Sequence, residues 1–364
     1  MQICLSHGGQ TQFRTGQPTD EVLVATANGI SFITRSGSGW SQSRRALEGK
    51  HISALLIEPA GGTIFAGTHG DGLYASTDGG KTWDRRDAGL ASPNVYSLGA
   101  AQSGSEQRVY AGTEPAHLHV STDLGKSWSQ LPAIRSVGSV PQWTFPGPPH
   151  EAHVKHITFD PRAADTIYAS IEVGGALKSI DGGRTFRDLH GVYEDVHRMV
   201  VVPTQPSHVY VSGGDGLWES VDSGETWARL TDGNARIGYP DALLVHPETP
   251  GLMFMAGAIC SPGEWRKTKD ADSRIGRSRD GGKTWEYLDG GLPGHIRGNM
   301  EAMVMNSYPG GFLLFAGTTD GDIYLGENEG ERWSTIASGL PPVSKGGHYR
   351  NLRDDAELVG AAAH

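Results

Sequence analysis

Cysteine is nearly missing from this chain: Cys4 and Cys260 are the two examples among 364 residues. Two thiols so far apart make neither a metal-type spacing nor a disulfide framework. No apolar run reaches the roughly 18 residues of a membrane span. The opening MQICLSHGGQ has no basic start followed by an apolar stretch, so it does not read as a signal peptide and the expected location is cytoplasmic. Basic runs are missing too. With 31 Lys and Arg against 41 Asp and Glu, the formal charge is −10, which argues against a phosphate-backbone footprint. Neither nucleic acid nor membrane is expected as a partner.

Glycine, by contrast, is abundant, at 52 residues, while hydrophobic residues make up 37%. That balance fits many short strands joined by tight turns better than helices. A self-similar unit carries the pattern: Ser-x-Asp-x-Gly-x-Thr/Ser-Trp/Phe. It occurs as STDGGKTW (Ser76–Trp83), STDLGKSW (Ser121–Trp128), SIDGGRTF (Ser179–Phe186), SVDSGETW (Ser220–Trp227) and SRDGGKTW (Ser278–Trp285). A degraded copy ends at Trp333 and a fainter one at Trp40, making seven units with closing aromatics 41 to 58 residues apart. A four-stranded propeller blade takes about 40–45 residues, so the two longest intervals carry insertions. Within the motif, Asp and Ser side chains bond the backbone of a tight turn. The Gly supplies a positive φ, and the aromatic opens the next strand.

These residues predict an all-β chain: one seven-bladed β-propeller domain over residues 1–364, with each motif at the hairpin between the third and fourth strands. The first unit, starting at Glu21, lacks a clear inner strand, and the segment from Val343 to Leu352 has material for one. The expectation is that the N- and C-terminal segments pair to close the ring, which removes exposed edges.

The five strong copies resemble the Asp-box, or BNR, repeat family. Its members include sialidases, sortilin-type receptors, xyloglucan-active glycosidases and photosystem II assembly-factor propellers. HVKHI, SIEVGGALKS and DVHRMVV are most similar to single-propeller bacterial proteins described as glycosyl-hydrolase-like or sialidase-like. The resemblance implies the fold over nearly the whole chain. It implies little chemistry, because Asp boxes lie away from the active face in enzymes and binders alike. The sialidase Arg-Ile-Pro signature is absent, Phe13-Arg14-Thr15 being the nearest segment, although Arg198, Arg297 and Arg350 lie near inner strands. Xyloglucan-type enzymes work in a cleft between two propellers, and this chain has length for one.

Aligning the inner strands places His51, Asn94, His153, Asp195, Tyr239 and Asn299 in one column. Ser53, Tyr96, Lys155, His197, Asp241 and Glu301 follow two residues later, with the same side-chain parity. The turns after the second strands add His69, Glu114, Glu172 and Asp320. Both columns belong at the channel mouth and admit three readings. One is a wet, polar channel with no chemistry. The second is a divalent metal held by His69, His153, Glu172 and His197. The third is metal-free acid–base chemistry, with Glu172 or Asp195 taking a proton and His197 or Lys155 donating one. Otherwise no cofactor is expected. His51, Tyr96, Tyr239, Asp241, Glu301 and Arg198 would bind substrate. Two insertions, Ser136 to Ala152 and Ile259 to Ile275, fall on the same face. Their Trp143, Phe145 and Trp265 either stack on a sugar or anchor the loops. His156 and His119 read as packed, structural residues. The leading expectation is a hydrolase or lyase acting on a small molecule or carbohydrate. The alternative is a non-catalytic binding or assembly propeller.

Overall fold

The computed structural model describes residues 2–37, 39–232 and 235–353. Seven sheets, antiparallel but for one parallel strand each in blades 1 and 7, stand in a ring as a β-propeller, in chain order. Their inner strands are Gln2–Leu5, His51–Ile57, Asn94–Ser103, Val154–Asp160, Val196–Val202, Tyr239–Val245 and Met300–Tyr308. Among the described residues one short α-helix, Pro262–Thr268, interrupts the β-structure; it lies inside the second insertion.

The Asp-box motif sits on the hairpin between the third and fourth strands in blades 2 to 6. In the first copy, Ser76 donates to Asp78 (2.8 Å), and the Gly80 amide donates to Ser76 Oγ (2.8 Å). The Thr82 amide and hydroxyl donate to the two Asp78 oxygens (3.0 and 2.7 Å). The same bonds recur in the other four copies, centred on Asp123, Asp181, Asp222 and Asp280. The glycine is required twice over. Its φ is positive, and a Cβ at Gly80, Gly125, Gly183, Gly224 or Gly282 would lie 2.7–2.9 Å from an apolar side chain of the preceding blade. Those neighbours are Phe32, Phe65, Leu131, Leu189 and Leu217. Each hairpin therefore also stitches one blade to the next.

The N-terminal segment pairs with the last blade, as expected for closure, but the C-terminal segment from Val343 to Leu352 does not supply the inner strand of blade 1. The inner strand of blade 1 comes from the N-terminus: Gln2–Leu5 runs parallel to Glu21–Val24. The chain then crosses the channel and adds Gln12–Arg14 as a fifth strand, parallel to Met305–Ser307 of blade 7. An N-terminal segment thus clasps the last blade, and Trp40 of blade 1 packs edge-on against Phe315 of blade 7. Val343 to Leu352 forms no strand. It crosses the mouth of the channel as a strap that ends in a 3-10 turn, His348–Leu352. The physical reason is that the parallel N-terminal strand already satisfies the inner edge of blade 1. The Gly346-Gly347 pair in the strap also disfavours extended pairing.

The second polar column has a shared backbone cause. In blades 2 to 7 the register of the inner strand slips at one residue, and that residue is Ser53, Tyr96, Lys155, His197, Asp241 or Glu301. A bulge residue is left out of the ladder, and its side chain is re-aimed. Six blades use this device to turn a polar group toward the axis. Small residues face the step after each bulge: Gly67, Gly112, Ser170, Ser212, Ala256 and Gly317. At Gly112 a Cβ would meet Val154 of the next blade at 2.6 Å, so the absence of a side chain lets blades 3 and 4 close together.

Candidate functional site

The bulge column and the second-strand ends converge on the axis. Glu172 is the hub. Its Oε2 meets His153 Nε2 at 2.6 Å, and its Oε1 meets Lys155 Nζ at 2.9 Å and Lys345 Nζ at 3.0 Å. Asp241 lies 3.2 Å from the same Lys345 ammonium and accepts from Asn299 at 2.7 Å. Glu301 accepts from the Lys345 amide (2.8 Å) and from Ser344 Oγ (3.0 Å). Burial alone would raise the Glu172 carboxyl, but Lys155, Lys345 and His153 together hold it well below the usual range. Burial likewise opposes the charge on Lys345, and Asp241, Glu172, Tyr239 and Glu301 overcome it, raising that ammonium well above its ordinary value. Lys155 goes the other way, lowered by burial and by Lys345 despite its acidic neighbours. Two lysines on the same carboxylate are thereby driven apart.

Asp195 and His197 form the outer edge of the cluster. The His197 Nδ1 lies 2.8 Å from the Pro240 carbonyl, which can only accept, so that nitrogen carries the proton. Nε2 is then left with its lone pair, 3.4 Å from Asp195 Oδ1. Neither atom has a hydrogen-bond partner among the described residues. The Asp195 side chain keeps 18% exposure, whereas that of His197 has none. Burial raises the Asp195 carboxyl, but positive charge on His197, when it is protonated, and on Lys155 turns the net direction down.

Other sequence-selected residues take supporting places. Tyr96 stacks on His153 with centroids 3.8 Å apart, and His69 meets the edge of Tyr96 at 5.4 Å. His51 bonds the Ser344 carbonyl at 2.9 Å. Tyr239 lies 4.5 Å from His197 and meets Trp265 edge-on at 5.9 Å. Trp265 is fully buried against Tyr239 of blade 6, which holds the second insertion to the ring, and donates to the Cys260 carbonyl within the insertion. Trp143 is half-buried and bonds Ser139 within the first insertion, and Phe145 stacks on His348 of the strap. Arg198, just past its bulge, turns to the His7 carbonyl on the N-terminal crossing. Arg297 is committed to Asp320 and to the Leu352 carbonyl. Three arginines gathered on one carboxylate are thus not what these side chains build. His119 is buried and accepts from the Ala91 amide, and His156 is buried below the cluster.

Donor atoms of Glu172, Asp195 and His197 lie within 4.8 Å of one another, a spacing that could hold a metal ion. His69 and His153, both expected as ligands, are not part of that group. A dication there would sit beside the ammonium groups of Lys155 and Lys345, both already at hydrogen-bonding distance from Glu172. With the strap seated, the residues do not fit a metal.

The sequence reading missed Lys345, Ser344, His348 and His7. All four lie outside the repeat, where no blade-to-blade alignment could assign them a position. The one available signal was the Gly-flanked lysine of SKGGHYR beyond the last motif.

A BNR/Asp-box repeat model matches residues 74–85, on the first full hairpin. The chain is a seven-bladed β-propeller with an Asp-box repeat match on one of its hairpins. No curated protein matches it by sequence. Among solved structures, a GH74 xyloglucanase from Xanthomonas campestris superposes with TM-score 0.67 at 17% identity, over 92% of this chain and 55% of that one. An ancestral GH74 enzyme gives 0.62 at 16%, over 88% and 40%. The propeller thus spans about half the length of these enzymes. YCF48 bound to D1 peptide gives 0.54 at 16%, over 87% and 98%. At these identities the likeness is one of fold.

Proposed function

We propose that this propeller is an enzyme, a hydrolase or lyase acting on a small polar molecule or carbohydrate by acid–base chemistry at the channel mouth. The observation that carries the reading is the convergence of Glu172, Asp195 and His197, from two adjacent blades, into one cluster. Its outer pair has the parts such chemistry uses. His197 presents a lone pair fixed by its bond to Pro240, and the neighbouring Asp195 carboxylate stabilises the imidazolium that forms when that lone pair takes a proton. Lys155, with its lowered affinity for a proton, stands behind as the second proton carrier. A divalent ion enters this reading only after Lys345 has left. A cytoplasmic location belongs to the same reading, and the unpaired state of Cys4 and Cys260 agrees with it.

The test is a turnover screen over aryl glycosides, uronides and small esters with the wild-type chain. His197→Gln and Asp195→Asn should each lower kcat by about 100-fold or more, the usual size of a lost acid–base group, while the melting temperature stays near wild type. Turnover that survives both substitutions would sink the assignment.

One observation favours a second reading. The strap covers the mouth, and Glu172, Lys155 and Asp241 are each 1% exposed or less. A non-catalytic propeller would keep such a cluster as an internal brace and use its outer face for a partner; one structure of similar fold is YCF48 bound to D1 peptide. In that case the screen finds no turnover, and all three substitutions that neutralise the brace (at Glu172, Asp241 and Lys345) act on stability alone.

A further inference from the structure

We infer that the channel site is built to receive a primary ammonium group, and that Lys345 is its tethered occupant, holding the place of a ligand that carries an alkylammonium. This rests on the reading of the channel mouth as the functional site. Lys345 does not come from a blade. It hangs from the strap and enters the mouth from the open face, as a ligand would. Its ammonium lies 3.0 Å from Glu172 and 3.2 Å from Asp241, which blades 4 and 6 contribute independently of the strap. The receptor half of the contact therefore exists without its occupant.

Charge decides the class of the replacement. Glu172, Asp241, Glu301 and Asp195 crowd one buried space, and Lys155 and Lys345 are the ammonium groups that answer them. Lifting the strap with nothing in exchange strips a positive charge from buried carboxylates, which is costly. A neutral or anionic ligand cannot make good that loss, whereas a cation of the same shape can. The strap itself is lightly held. Its buried apolar anchors are Val343 and Leu352 at the two ends. Its other contacts are the rings of Phe145 and Trp265 against His348 and polar bonds, such as Ser344 with Glu301, that water can replace.

Two measurements test this with n-propylammonium chloride, the fragment that Lys345→Ala removes, against n-propanol and matched NaCl. In Lys345→Ala, millimolar propylammonium should restore most of the lost melting temperature, and propanol should not. In the wild-type chain, free amine competes with a tethered one whose effective concentration is roughly millimolar. Propylammonium at tens of millimolar should therefore speed tryptic cleavage after Lys345, which is otherwise shielded. No gain over NaCl in the variant, or unchanged protection in the wild type, overturns the inference. If Lys345→Ala does not fold, the wild-type cleavage decides alone. His197→Gln separates this idea from the catalytic one, because it should keep the amine response while losing turnover. Turnover without an amine response would refute the ammonium site and leave the acid–base reading standing. An amine response without turnover would do the reverse.

Discussion

The Asp-box hairpins and the channel cluster both hold carboxylates against donors, but over very different lengths of chain. Asp222 is satisfied by Ser220 and Thr226, two and four residues away, in an exposed turn. Glu172 is satisfied by Lys345, 173 residues away, in a buried space. The hairpins are five copies of one local solution. In the channel, six of the seven blades each contribute a different side chain from the same bulge. Local satisfaction makes the repeat robust to change around it, because water stands ready to replace a lost partner. Distant satisfaction in a dry interior makes the channel brittle, because a lost partner leaves a bare charge.

The sharpest way to break the comparison is Lys345→Met, which keeps the length of the side chain and removes its charge. Losing one partner of a buried ion pair costs about 3–5 kcal/mol, so a large fall in the denaturant midpoint is expected by urea titration. A loss below about 1 kcal/mol would mean that water already reaches Glu172 and Asp241, and the contrast with the hairpins would dissolve.

Next in size is Gly80→Ala, a substitution at the rim that adds bulk and leaves every carboxylate bond in place. The new Cβ would meet Phe32 at 2.7 Å, and φ is +80°. Phe32 has little room to yield, because the Arg44 guanidinium stacks on its ring at 3.2 Å. Overpacking together with a positive φ costs about 1–3 kcal/mol. Asp222→Ala, in a half-buried surface turn, should lower the melting temperature less than Gly80→Ala does. If the order were reversed, the hairpin's internal bonds would matter more than the blade-to-blade packing it provides.

The same contrast explains what the sequence could disclose. Blade number, hairpin position and the six-residue polar column were legible because each repeats at a fixed place in a local pattern. Even Lys155, His197 and Asp241 could be lined up without knowing that a bulge aims them. The strap was not legible. Val343 to Leu352 has the apolar residues of a strand, and the blade count seemed to need one. Only the three-dimensional position of Gln2–Leu5 shows that the need was already met. Arg198 was misplaced for a related reason: a bulge one residue earlier shifts it out of the pattern, toward His7.

The smallest effect, and the finest test of the contrast, is the response to mild acid. Burial pushes the His156 and His7 imidazoles well below their ordinary value, with Arg198 adding to the first and Lys155 to the second. His119 is lowered to about 4 by burial. In the unfolded chain these rings take up protons near pH 6.5, and in the folded chain they do not. Their contribution is therefore fully present above about pH 6.5 and declines as pH falls through the folded values. The Asp-box carboxylates are lowered by their own Thr and Ser donors, Asp181 and Asp222 to about 2. What they contribute is present above the unfolded carboxyl value, about 4, and is lost only as pH falls toward 2. Between pH 7 and 5 the hairpins should be silent, and any loss of stability should come from the buried imidazoles. Calorimetry at pH 7, 6 and 5 should show a falling melting temperature in the wild type and a shallower fall in His156→Gln. Thr226→Val, which weakens an Asp box, should leave the slope unchanged, and a change of slope there would place part of the acid response in the repeat instead.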